Sequence, residues 1–211
     1  MRQFLIRSVL YLFILGSVSG VAADGNPERG ERFFVICQGC HGERAQGKKE
    51  SGAPRLANQH GWYLTRQLQN FRDGIRGSHE DDSYGQLMSA MAKTLPDQQA
   101  VLDVVSYIMT LDIGAVQQTG GNEVNEKGRI TFASCQSCHG LKAEGNQAIG
   151  APRLAGQYQW YLIRQLQNFK GDMRGTHELD TYGQTMRSVA HALLPDEQTI
   201  RDVVAYITTL Q

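Results

Sequence analysis

Apolar residues recur along the chain at helical rather than strand spacing. Trp62, Leu64 or Thr65, Leu68 and Phe71 fall on one helical face, and Val101, Val104, Val105, Ile108 and Leu111 keep a second stripe after Pro96-Asp97. A counterpart of that stripe runs from Pro195 to Leu210. Another helix opens at Pro27-Glu28 and carries Phe33, Phe34 and Ile36, proline at the first turn with an adjacent acid being a start signal. No alternating run is long enough to compete as a strand. The pattern therefore predicts an all-α fold. Long loops separate these helices, from Gly42 to Gln59 and from Gly74 to Gly85. They are too long for a bare small bundle, so something large is expected to fill the middle.

The first residues follow a different pattern. Arg2 and Arg7 precede the apolar run Val9 to Val18, and Val21-Ala22-Ala23 supplies small residues before Asp24. That order reads as a cleaved secretory signal peptide over residues 1–23. The run is shorter than the ~20 residues that span a bilayer, and no cysteine follows to take a lipid. An exported, periplasmic protein is expected, with loose membrane association left open. The full chain carries 21 basic and 21 acidic side chains; without the leader's two arginines the balance is 19 against 21. Such a chain has no excess of positive charge with which to neutralise nucleic acid.

The sequence is internally duplicated. Cys37-Gln38-Gly39-Cys40-His41 returns as Cys135-Gln136-Ser137-Cys138-His139, 98 residues on. At the same offset, residues 52–86 match residues 150–184 at 24 of 35 positions. After Met88 and Met186 the offset becomes 99, so that Pro96-Asp97 answers to Pro195-Asp196. The expected organisation is a first domain over residues 24–112, a linker over 113–122 rich in small and polar residues, and a second domain over 123–211.

Cys-x-x-Cys-His is the attachment signature of c-type haem. Two thiols add to the porphyrin vinyl groups and the next residue, histidine, ligates the iron. Cys37, Cys40, Cys135 and Cys138 are thus the expected attachment points, with His41 and His139 as proximal ligands of two haem c groups. Two disulfides, a four-cysteine zinc site and a thioredoxin-like pair are the competing readings. The last needs a βαβ context that this pattern lacks.

The opposite side of each iron decides function, because a second strong ligand leaves no open coordination site. Met88 and Met186 occupy matched positions, each 47 residues after its motif histidine. Met91 answers to Val189 and Met173 to Ile75, so neither satisfies both copies. His79 and His177 are a matched rival pair, each in Arg-Gly-(Ser/Thr)-His-Glu; they read either as axial ligands or as surface groups bonded to Asp82 and Asp180. The expectation adopted is methionine, since His/Met ligation is a standard haem pair that raises the potential. His60 and His191 lack repeat partners and are expected at the surface.

Other repeated residues suit a haem crevice. Pro54 and Pro152 are placed to offer a carbonyl to the second nitrogen of His41 and His139. Trp62 and Trp160, with Tyr63 and Tyr161, have apolar bodies and polar tips. Arg55 and Arg153, with Arg66 and Arg164, are expected to neutralise propionates. Ordinary core aromatics and surface arginines are the plainer alternative.

With these residues in place the chain resembles the dihaem class I cytochromes of the cytochrome c4 type. The likeness rests on the two haem motifs, Ala-Pro-Arg-Leu-Ala followed by Gln59 and Gln157, the Tyr-Leu-x-Arg-Gln-Leu-Gln helix, and the methionine before the last helix of each half. It implies two tandem class I cytochrome c domains, each wrapped around one covalent haem. It also implies a last helix crossing the first at Gly30 and Gly128, beside Phe34 and Phe132, with Tyr107 and Tyr206 as aromatic partners. His/Met ligation and propionate edges facing each other across a pseudo-twofold axis follow from the same likeness. The Arg-Gly-x-His-Glu loops depart from that pattern and resemble cytochrome domains that serve oxidases.

The function expected is single-electron transfer between redox proteins in respiration, toward a membrane-bound cytochrome oxidase, with no small-molecule substrate. A dihaem peroxidase is the enzymatic alternative, and a tightly bound cytochrome subunit of a larger redox enzyme is a third reading. Matched methionines and the likeness of the halves argue against the peroxidase.

Overall fold

A computed structural model describes residues 25–114 and 125–210. The expected signal peptide and most of the expected linker lie outside the described residues. The first half folds as α1 (Pro27–His41), α2 (Gly61–Arg72), α3 (Ser83–Ala92) and α4 (Gln98–Thr110). The second repeats it as α5 (Glu126–His139), α6 (Gln159–Lys170), α7 (Thr181–Leu193) and α8 (Glu197–Ile207). A 3₁₀ turn spans Gln147–Ile149. Among the described residues the only pairings of strand type are two isolated antiparallel bridges, Lys48 with Ala53 and Asn146 with Ala151.

Asparagine and aspartate side chains start most of these helices by accepting a backbone N–H from the first turn. Asn26 accepts from Arg29, Asp97 from Ala100, Asn125 from Gly128 and Asp196 from Thr199. Pro96 therefore stands outside α4, with Asp97 as its cap. Asp82 and Asp180 cap α3 and α7, which is why those helices begin at Ser83 and Thr181, inside the stretch the sequence pattern leaves as loop. The residue inserted in the second half falls after Met186, where α7 runs to Leu193 while α3 stops at Ala92.

In each half the first and last helices cross. The crossing is possible because of a glycine: a Cβ on Gly30 would strike the Asp103 carbonyl and the Tyr107 Cβ, and one on Gly128 would strike Asp202 and Tyr206 in the same way. Close approach lets Phe34 meet Tyr107 at 5.4 Å between ring centroids, and Phe132 meet Tyr206 at 5.5 Å. Both phenylalanines are 0% exposed. Around them lie two separate cores, one with Leu64, Leu95, Val101, Val104 and Ile108, the other with Leu162, Leu194, Ile200, Val203, Val204 and Ile207. Each such side chain contributes roughly 1.5–3 kcal/mol when removed from water.

The first half does not end with α4. Leu111 and Ile113 pack on its core, and the carbonyls of Asp112 and Gly114 accept from Arg44 and Arg55. Among the described residues no helix is long and apolar enough to cross a membrane.

Candidate functional site

Each cysteine motif occupies the last turn and a half of its helix. Cys37 and His41 are four residues apart on α1 and share a face, while Cys40 is exposed. The helix stops at Gly42, whose φ of +82° suits glycine, and α5 stops at Gly140 with φ of +81°. Burial, with a smaller push from the neighbouring thiol, raises the Cys37 and Cys135 thiols to about 11. No disulfide joins any of these four cysteines. Among the described residues no group of three or more His, Cys, Asp and Glu side chains is arranged to hold a metal ion, so the motifs do not converge on one four-cysteine zinc site.

His41 is 5% exposed and has one ring nitrogen engaged: Nδ1 lies 2.9 Å from the carbonyl oxygen of Pro54. His139 and Pro152 repeat the contact at 2.9 Å. A carbonyl can only accept, so Nδ1 carries the proton and Nε2 keeps its lone pair. Burial lowers both imidazoles below the ordinary histidine range, the carbonyl contact opposing it, which leaves the rings neutral. A neutral, oriented imidazole beside two free thiols fits a covalently attached haem better than any competing use of the motif.

Met88 and Met186 sit half-buried on α3 and α7. Met186 packs against the second core alongside Cys135, Leu154 and Leu166. The two helices are anchored differently. Ser89 donates to the Phe71 carbonyl at 2.8 Å, tying α3 to α2, whereas α7 is held by Arg187 and His191 on Asp172.

His79 and His177 lie in the turns before these helices. Their Nδ1 atoms accept from the backbone of Asp81 and Leu179 at 3.2 and 3.1 Å. Asp82 and Asp180 use their side chains as helix caps and meet these histidines through the backbone instead, donating to the His79 and His177 carbonyls at 3.1 and 3.0 Å. His191 is exposed as expected. His60 is not: half-buried, it stacks on Trp62 at 5.7 Å and reaches the Glu144 carbonyl at 2.7 Å. Its repeat counterpart Tyr158 stacks on Trp160 at 5.9 Å, so an aromatic platform is kept although the residue changed.

The two halves meet through the repeated residues. Gln157 bonds both backbone polar groups of Arg55, and Gln59 does the same to Arg153. Arg55 directs its own guanidinium to the carbonyls of Ala57 and Gly114, and Arg153 to Ala155. Arg66 donates to the Gly150 carbonyl and covers the Tyr182 ring at 4.0 Å. Arg164 mirrors it on Gly52 and Tyr84, at 4.1 Å. Trp62 and Trp160 stand edge-on to Tyr63 and Tyr161, with Arg66 and Arg164 over them. Arg76 and Arg174 complete the interface through Tyr161, Gln165, Tyr63 and Gln67. These last two arginines open the matched Arg-Gly-x-His-Glu loops, but the sequence pattern assigned them no role.

Fold and motif geometry together define a tandem pair of helical domains, each built around one c-type haem motif. The cytochrome c family pattern matches residues 27–112 and again 125–211, and the chain belongs to that family. It is similar to cytochrome c4 of Stutzerimonas stutzeri, 30% identical over the full length of both chains. The crystal structure of reduced recombinant cytochrome c4 from Pseudomonas stutzeri superposes with a TM-score of 0.71 at 26% identity, covering 89% of this chain and all of that one. A cbb3-type cytochrome c oxidase subunit of Rubrivivax gelatinosus is 29% identical over 86% of this chain and 53% of its own length. The protein is thus a dihaem cytochrome of the c4 type, an electron carrier rather than an enzyme, with two covalent haem c groups.

Proposed function

We propose that the protein is a periplasmic shuttle that passes single electrons between redox proteins and on toward a terminal oxidase. Residues 1–23 are a cleaved leader, 24–112 and 123–211 the two domains, and 113–122 the linker. Cys37 and Cys40 hold one haem and Cys135 and Cys138 the other. His41 and Met88 would hold the iron of the first haem, and His139 and Met186 that of the second. Each haem, once bound, supplies a reversible one-electron couple.

The protein's own residues fix how that couple behaves. Burial keeps the imidazoles neutral, and the carbonyls of Pro54 and Pro152 orient them. Met88 and Met186, as second ligands, would raise the potential and leave no open position for peroxide. The observation that carries the reading is the twofold recurrence of one site: the same histidine–carbonyl pair at 2.9 Å, and a half-buried methionine on the same helix, in both halves. A peroxidase needs one haem with an exchangeable position, and the two halves do not differ in that way. Likeness to an oxidase subunit supports an oxidase as the electron acceptor.

A spectroscopic redox titration of the purified protein tests the reading. Two haems per chain, both six-coordinate, with the far-red band of methionine-bound ferric haem, are expected. Peroxide turnover at enzymatic rates would overturn it.

A further inference from the structure

The two halves hold their methionine helices differently, and three positions carry the difference. At the offset of 98, Gly74 answers to Asp172 and Ser89 to Arg187. The helices are still in phase at the buried Ala92 and Ala190, so Lys93 answers to His191. In the second half these three side chains converge: Oδ1 of Asp172 accepts from Nε of Arg187 and lies 2.9 Å from Nε2 of His191. Unrelated surface substitutions have no reason to meet at one oxygen atom. What precedes the methionine is the same in both halves, with Asp82 and Asp180 as helix caps and Gln86 and Gln184 on the His79 and His177 carbonyls.

Asp172 stands in the loop after α6, in the left-handed region at φ +61°, where Gly74 of the first half has φ +73°. Glycine enters that region freely; any other residue does so at a cost, aspartate at less than most. An aspartate kept there sets a carboxylate against α7. Its two partners, Arg187 and His191, lie about one turn apart and share a face of that helix. Met186 directly precedes Arg187, so the carboxylate grips α7 at two points immediately beyond the methionine. Hydrogen bonds from Arg187 and then His191 hold the Asp172 carboxyl below the ordinary aspartate range. In the first half the corresponding helix is held by one enclosed neutral bond, from Ser89 to the Phe71 carbonyl at 2.8 Å, with Ser89 7% exposed. The ionic grip is open to water instead: the side chains of Arg187, His191 and Asp172 are 39%, 45% and 49% exposed.

We infer that Asp172, Arg187 and His191 are positioning residues for Met186: an ionic clamp that keeps α7 where this methionine would ligate the second iron, the part Ser89 plays for Met88. The inference rests on the His/Met reading above. An exposed clamp of charges weakens as ionic strength rises, whereas an enclosed neutral bond does not. Salt therefore loosens Met186 and leaves Met88 in place. Because methionine ligation raises potential, the second haem is the one whose potential follows the ionic surroundings. Two nearly identical halves thus respond differently to the same change of medium.

The test uses the ferric holoprotein with imidazole as a competing iron ligand, the methionine methyl resonance of each haem being followed separately by NMR. A parent protein whose second haem shows no methionine resonance overturns the His/Met reading and this inference with it. With both resonances present, Asp172→Asn and Arg187→Gln should each let imidazole displace Met186 at a roughly two- to fivefold lower concentration, the range of exposed ion pairs, and leave Met88 unmoved. Arg187→Lys should recover part of the shift. Asp172→Gly installs the first half's own residue, which suits the positive φ, so it should loosen Met186 while the melting temperature stays near that of the parent. Ser89→Ala should loosen Met88 alone. An unmoved Met186 in the Asp172 variants, or a shift shared by both haems, refutes the clamp. The parent decides independently, including where a variant fails to fold. Added potassium chloride should ease displacement of Met186 and not of Met88, and two haems that respond to salt alike refute the inference.

Discussion

Gln157 holds Arg55 by its backbone: the glutamine Nε2 donates to the Arg55 carbonyl at 2.9 Å, and its Oε1 accepts from the Arg55 N–H at 3.2 Å. Gln59 does the same for Arg153, at 2.9 and 3.2 Å. A primary amide thus imitates one rung of a sheet ladder, twice, between domains without strands. Removing it leaves an enclosed N–H and C=O without those bonds, at a cost of about 1–3 kcal/mol per site. Gln59→Ala with Gln157→Ala should therefore loosen the halves while each keeps its own core. Limited proteolysis and small-angle scattering would register the change. Unaltered domain spacing and protease resistance would show that the glutamines are dispensable.

The helix crossings give a second prediction. Gly30→Ala and Gly128→Ala push a methyl group into a backbone carbonyl rather than a flexible side-chain end. Overpacking of this kind costs about 1–3 kcal/mol. Denaturant titration of each variant should show a lower midpoint with little change in slope.

Acid should weaken the first half in particular. Asp103, 1% exposed, pairs with Arg29 at 2.8 Å and accepts the N–H of Asn26 at 2.7 Å. Burial alone would raise this carboxyl; Arg29, Asn26 and Gln99 outweigh it and hold it below the ordinary aspartate range. A folded value below the unfolded ~3.9 means that the stabilisation is fully present above that value and is lost as pH falls through the folded one. Asp103→Asn should be less stable than the parent near neutrality, with the difference shrinking below about pH 4. A pH-independent difference would contradict this. In the second half Lys127 stands where Arg29 does, and Asp202 is held by Asn125 and Gln198 instead.

The methionines can be separated by substitution. Met88→Ala and Met186→Ala should each remove about half of the far-red ferric band and lower the potential of one haem, since methionine ligation raises potential. The double variant should lose the band altogether. Retention of the full band in either single variant would return His79 and His177 to consideration.

Much of this architecture was legible in the residues. The helices carrying Trp62 to Phe71 and Val101 to Ile108 follow from apolar periodicity, and the close helix crossing from the family likeness at Gly30. Helices α3 and α7 were less visible because their start is set by the Asp82 and Asp180 side chains, which a hydrophobic pattern does not weigh. His60 was misplaced because its partner is not another histidine but Tyr158; the property kept by the repeat is a flat ring on Trp62 or Trp160. Arg76 and Arg174 could be found by insisting on identity between the halves, as was done for Met88. Their meeting across the interface could not, because periodicity describes one helix at a time.

The carbonyl of Pro54 and the N–H of Arg55 belong to one peptide group. One edge of that rigid plane faces His41 and the other faces Gln157 of the opposite half. The plane between Pro152 and Arg153 repeats this with His139 and Gln59. The two histidines are therefore meshed like teeth through a pair of flat plates. One half cannot swivel on the other without tilting an imidazole or parting a glutamine from its plate.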